Sequence, residues 1–118
     1  MSDRIQTYAE FWPFYLREHS QSSTRWLHFV GTSLGVGLGV TAGVTGRGVL
    51  VPVALVAAYG FAWFSHFVIE HNRPATFKYP LWSFVSDFRM AGLMAIGQLG
   101  PHLEQATKGA PAVATRVV

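Results

Sequence analysis

From Arg25 to Glu70 the chain reads RWLHFVGTSLGVGLGVTAGVTGRGVLVPVALVAAYGFAWFSHFVIE. Between Arg25 and Arg47 lie 21 residues without a formal charge, and between Arg47 and Glu70 lie 22 more. Each run is long enough to cross a ~30 Å hydrocarbon layer as a helix of about 20 residues. The turn they share, Gly46-Arg47-Gly48, is too short to send the second helix anywhere but back. A backbone in lipid must satisfy its own hydrogen bonds, so the two runs predict a transmembrane helical hairpin.

The first of these helices carries Gly31, Gly35, Gly39 and Gly43, one glycine every four residues. Glycine costs about 1 kcal/mol per helical position in water. Close approach of helix backbones in a membrane is the reason such a repeat implies. Ala54, Ala58 and Ala62 form a matching stripe in the second helix, which runs on into His66 and Glu70. The glycine ridge serves the hairpin itself or a homodimer equally well.

Outward from the hairpin, Ile5 to Leu16 is rich in aromatic residues and interrupted by Pro13. It predicts an N-terminal interfacial helix, bent or restarted at the proline. Met1 to Tyr15 lacks the basic-then-apolar order of a cleaved signal peptide. After the hairpin, HNRPATFKYP reads as a loop, with Pro80 suited to the first turn of a third helix, Leu81 to about Leu99. That helix is apolar except for Asp87 and Arg89. It is either shielded by the hairpin or lies shallowly, since an ionic group at mid-bilayer costs about 3 kcal/mol. The fold class is therefore all-α, an integral membrane helical bundle. Residues 1–103 form its single membrane-embedded domain and residues 104–118 a mobile C-terminal tail.

Composition agrees with a lipid solvent. Half of the 118 residues are hydrophobic and 13% are charged, where an ordinary soluble domain has about a quarter charged. The chain has no cysteine, which excludes disulfides, thiolate-ligated zinc, iron–sulfur clusters and a cysteine nucleophile. Net charge is +3, but the basic residues are scattered singly, so they read as topology signals and no nucleic-acid partner is expected. Arg17, Arg25, Arg73 and Lys78 share the end marked by Trp26, Trp63 and Trp82, while the opposite turn carries Arg47 alone. The positive-inside rule and the aromatic belt then put the N-terminus in the cytoplasm of an inner membrane.

Histidines mark the same end. With the turn centred on Arg47, residue i faces a residue near 94 minus i, so His28 meets His66 and His19 approaches the level of His71. Four imidazoles at one level suit iron, copper, nickel or zinc, and ionisable residues at a membrane are a functional-site hypothesis by default. His66 and His71 are five apart, so His71 is expected to approach the metal from the loop. Glu70, one turn beyond His66, is a candidate ligand or a group orienting an imidazole, and Glu18 is a candidate of the same kind or a solvated carboxylate. Asn72, Arg73, Asp87 and Arg89 are candidates for outer-sphere or substrate contacts, with Arg89 able to meet a substrate carboxylate bidentately or to form a structural ion pair with Asp87. No phosphate-binding glycine loop and no HEXXH motif is present.

The segments YLREH, RWLHFVGT, GFAWFSHFVIEHNRPATFKYP and SDFRM, spanning Tyr15 to Met90, together resemble the membrane 2-hydroxy fatty acid dioxygenases of fatty-acid α-oxidation. The resemblance implies an Fe(II)-dependent enzyme that uses O2 to cleave the C1–C2 bond of a 2-hydroxy long-chain fatty acid. It also implies His19, His28, His66 and His71 as catalytic metal ligands, and leaves His102 outside the motifs. A 2-hydroxy carboxylate can chelate iron through its hydroxyl and one carboxylate oxygen, with the acyl tail along the apolar hairpin. Two readings compete: a bis-histidine haem protein with His28 and His66 as axial ligands, and a non-catalytic membrane scaffold.

Overall fold

A computed structural model describes residues 4–109. The described chain is helical: α1 (Tyr8–Arg17), α2 (Ser22–Thr45), α3 (Leu50–Phe64) continued by a π-helical stretch (Ser65–Glu70), a 3₁₀ turn (Ala75–Phe77), α4 (Pro80–Ala95) and α5 (Leu99–Gly109). Two of these helices, Ser22–Thr45 and Leu50–Glu70, are long and apolar enough to cross a membrane.

The hairpin forms as its sequence implies. Gly46 takes a left-handed conformation, φ 73°, and its N–H closes α2 on the Ala42 carbonyl. A side chain there would be strained, which is the reason for glycine. The contact between α2 and α3 does not, however, follow the expected four-residue glycine ridge. A Cβ on Gly31 would lie 2.9 Å from the Ala58 carbonyl oxygen and from Phe61 Cβ, and one on Gly35 would lie 3.2 Å from Ala58 Cβ. Cβ atoms on Gly39 and Gly43 would meet nothing within 4 Å, whereas Ala42 is buried. The cause is the helical period: at 3.6 residues per turn a four-residue step drifts about 40° around the helix. The contact stripe instead shortens one step and runs through Gly31, Gly35 and Ala42, so Gly39 and Gly43 rotate out of it.

The remaining helices build a cap over the histidine end. Thr7 caps α1, its hydroxyl accepting the Glu10 N–H at 3.2 Å. The helix runs unbroken through Pro13. Pro13 offers no N–H to the Ala9 carbonyl, and Ala9 is exposed, so water can serve that group instead. Phe11, Tyr15 and Leu16 on α1 are almost wholly buried against Met90, Tyr79, Ala75, Leu99 and Ala106. α1 thus buries its aromatic face in protein. Hydrogen bonds from Ile5 N–H to the Tyr79 hydroxyl (2.8 Å) and between the Tyr8 and Ser86 hydroxyls (2.8 Å) tie α1 and the residues before it to α4 and its N-cap.

The expected third helix ends earlier than Leu99. Its last turn closes at Ala95, and Gly97, with φ 71°, reverses the chain. α5 then folds back onto α1, burying Leu99 and Ala106, and the Arg17 guanidinium donates to the Ala106 carbonyl at 3.3 Å. Residues 104–109 belong to α5, and the remainder of the expected tail lies outside the described residues.

Candidate metal centre

Three histidines converge where the cap meets the hairpin. His19 stands in the short link between α1 and α2, His28 in the second turn of α2 and His66 in the π-helical stretch, and they are 1%, 4% and 2% exposed. The link is held from both sides. Arg25 donates to the carbonyls of His19 (2.7 Å) and Ser20 (3.0 Å), while the Ser20 hydroxyl (2.9 Å) and the Gln21 N–H (2.8 Å) donate to the Glu70 carboxylate. His19 Nε2 lies 3.1 Å from His28 Nε2 and 3.0 Å from His66 Nε2. One ligand nitrogen from each ring falls within 4.8 Å of the others.

The hydrogen bonds behind the rings decide what this convergence is for. His19 Nδ1 sits 2.6 Å from the Tyr15 carbonyl oxygen, which only accepts, so the ring proton is on Nδ1 and Nε2 carries a lone pair. His66 Nδ1 sits 2.7 Å from Asn72 Oδ1. The Asn72 amide group donates to the Glu18 carbonyl (3.3 Å) and carboxylate (3.2 Å), which assigns its oxygen to His66. His66 Nε2 therefore also presents a lone pair. Two lone pairs facing each other at 3.0 Å repel unless a proton or a metal ion lies between them. Burial, together with the neighbouring His28 and His66, holds the His19 imidazole well below its ordinary pKa, which disfavours the proton. Two nitrogens bound to one ion at about 2.1 Å and a right angle stand about 3.0 Å apart, so the residues fit a metal. The void among the rings, about 10 Å³, has room for an ion and little else.

Asp87 joins this centre to a larger space. Its carboxylate accepts a hydrogen bond from the Tyr15 hydroxyl and approaches His28 Nδ1 at 3.6 Å, too far for a hydrogen bond, so that nitrogen has no hydrogen-bond partner. Burial, then the Asp87 charge, raises the Tyr15 pKa well above its usual value, keeping it the donor. From His28 and Asp87 an apolar groove of about 210 Å³ runs along the hairpin past Gly35 and Ala58 to Gly39 and Val51, with Phe84 and Phe88 of α4 on its wall. Histidine void and groove share His28, Ala62 and Asp87.

Other expected residues fall differently. His71 ends the π-helical stretch in a left-handed conformation, φ 58°, and is exposed, so the structure leaves it outside the trio. His19 and His71 are expected at one level, with His71 reaching the metal from the loop; the π-helical stretch changes the register, and His71 follows it as an exposed residue. Glu70 anchors the link, while Asn72 takes the imidazole-orienting role for which the sequence offers Glu70. Glu18 backs Asn72, and burial with the nearby Glu70 charge raises its pKa. Arg73 lies over the Phe77 ring at 5.4 Å, and Arg89 over the Trp12 ring at 4.1 Å. Of the two alternatives for Arg89, the ion pair with Asp87 is absent among the described residues, and the guanidinium lies over aromatic rings instead. The haem arrangement has no room, because His19 occupies the space that a porphyrin between His28 and His66 requires.

Tyr15 is the functional residue that sequence reasoning missed. It fixes His19 through its carbonyl and Asp87 through its hydroxyl. The signal was present in YLREH, where Tyr15 and His19 stand four apart, one helical turn. Comparison with curated proteins and with solved structures gives no match. A protein family described as 2-hydroxy-palmitic acid dioxygenase Mpo1-like matches residues 5–99, a span that holds all three converging histidines, Tyr15, Asn72 and Asp87. The chain belongs to the Mpo1-like family.

Proposed function

We propose that this chain is a membrane-embedded, Fe(II)-dependent dioxygenase. It cleaves the bond between C1 and C2 of a 2-hydroxy long-chain fatty acid and leaves a chain one carbon shorter. The observation that carries the reading is the meeting of three converging imidazole nitrogens with the polar end of an apolar groove. The family description supplies the reaction class. Zinc has no redox chemistry, so a dioxygenase with this donor set favours iron.

His19, His28 and His66 hold the metal. Bound there, iron supplies O2 activation and Lewis-acid polarisation of a chelating 2-hydroxy carboxylate. The protein's own contribution is orientation and exclusion. The Tyr15 carbonyl and Asn72 lock two imidazoles with their Nε2 atoms inward, which is the usual work of groups behind a ligand. Asp87 accepts a hydrogen bond from the substrate hydroxyl, since its carboxylate borders both groove and void. The apolar groove takes the tail and keeps water from the reacting carbons.

Two long apolar helices support a membrane location. The windows that define them are only 17% and 22% buried within the protein, which suits a surface covered by lipid. Basic residues gathered at the histidine end favour an inner membrane with that end, and the N-terminus, in the cytoplasm. A site at the membrane edge lets a fatty acid reach the metal without leaving the bilayer.

The direct test loads purified protein with Fe(II) under anaerobic conditions, then adds 2-hydroxypalmitate and oxygen. Mass spectrometry should find the odd-chain acid one carbon shorter. Protein that binds iron stoichiometrically and forms no such acid contradicts the proposal.

A further inference from the structure

The groove has a polar end and a far end, and the two are built differently. At the polar end His28 lines the groove although it is almost wholly buried, and its buried Nδ1 has no hydrogen-bond partner. An orphaned buried nitrogen beside the Asp87 carboxylate suits a ligand with a hydroxyl or carboxyl head. The groove beyond is apolar, which suits a hydrocarbon tail. At the far end stands Gly39. Gly31 and Gly35 are explained by backbone approach, since a Cβ on either would crowd α3. Gly39 has no such reason: a Cβ there would meet nothing within 4 Å, yet the residue lines the groove. What its missing side chain preserves is the length of the channel.

Building on the function proposed above, we infer that the groove binds a single acyl chain with its head at His28 and Asp87, and that Gly39 sets the longest chain accepted. His28 and Gly39 are eleven residues apart on α2. At about 1.5 Å per residue that is about 16 Å, or about 13 extended methylenes at about 1.25 Å each. Adding the carbons of the head gives a preferred substrate of about 14 to 16 carbons.

The experiment compares wild type, Gly39→Phe and Val40→Phe with 2-hydroxy acids of 8 to 18 carbons. Val40 is 60% exposed, lies at the same depth and does not line the groove, so it adds equal bulk on another face. Binding to metal-free protein is read by displacement of a fluorescent fatty acid, and turnover by product formation on iron-loaded protein. Far-UV circular dichroism and iron stoichiometry establish that each variant is folded. In Gly39→Phe, affinity and kcat/KM for the 16-carbon acid should fall about tenfold or more. The 10-carbon acid should stay within about twofold, and Val40→Phe should keep the wild-type profile. An unchanged profile in Gly39→Phe, an equal loss at every length, the same shift in Val40→Phe, or equal displacement by a phospholipid overturns the ruler. Should Gly39→Phe itself fail to fold, Gly39→Leu carries the same comparison, with a smaller shift in the same direction. Chain-length-dependent binding without any C–C cleavage would leave the ruler standing and sink the proposed reaction instead.

Discussion

Phe11 in the cap is sealed from solvent, whereas Val44 in the hairpin exposes 82% of its surface, and both belong to apolar helices of the same chain. The cap behaves like a small water-soluble core: aromatic rings interlock, and the Tyr8 and Ser86 hydroxyls pair across helices. The hairpin behaves otherwise. Its two helices touch along one narrow stripe of glycine and alanine and leave Val40, Val44 and Val56 outward. The cap is completed by protein, and the hairpin is completed by whatever apolar medium surrounds it. Since burial in protein gives a hydrophobic side chain its stabilising effect only where the alternative is water, the same substitution should act differently in the two regions.

The sharpest contrast is a truncation in each. Phe11→Ala should cost about 3–5 kcal/mol by leaving a cavity among Tyr15, Tyr79 and Met90. Val56→Ala, in bilayer or detergent, should cost less than about 0.5 kcal/mol. Chemical denaturation in micelles measures both, and equal losses would break the distinction. The hairpin's own contact is tested next. Gly31→Ala puts a Cβ against the Ala58 carbonyl and should cost about 1–3 kcal/mol by forcing the helices apart. Gly43→Ala, with nothing near its Cβ, should be neutral within error.

Much of this architecture was legible in the chain and some was not. The turn at Arg47 and the pairing of His28 with His66 follow from run lengths alone, because a short symmetric turn fixes what faces what. His71 escaped the same arithmetic because a π-helical stretch inserts extra residues per turn, and no periodicity in SHFVIE announces it. Phe11 and Tyr15 were legible as an apolar face, but not what covers it. The answer, α5, was hidden by the small and polar residues of its sequence, although Leu99, Leu103 and Ala106 share the spacing of one helical side. Asn72 was legible only as an outer-sphere or substrate contact, and Tyr15 needed the fold before its two roles could be seen.

Smaller effects probe the seam between the regions. Asn72→Ala removes the hydrogen bond that turns His66 inward and should weaken metal binding about 10- to 100-fold, measured by competition with a chelator. Acid should act in a direction set by His19. The folded chain resists protonating this buried ring, while the unfolded chain takes the proton near its ordinary value of about 6.5. The stabilising contribution is therefore complete above about pH 6.5 and declines as pH falls below it. The metal-free protein should thus melt at lower temperature at pH 5.5 than at pH 7.5, and metal affinity should fall in the same sense.

Three imidazoles from separate parts of the chain, joining cap to hairpin on one ion, are the centre of this account. Iron bound per chain after desalting tests it most directly, in wild type and in His19→Ala, His28→Ala, His66→Ala and His71→Ala. Wild type and His71→Ala should each retain about one equivalent, and the other three variants less than about one tenth. Iron retained by all four variants, or lost from His71→Ala as completely as from the rest, would contradict it.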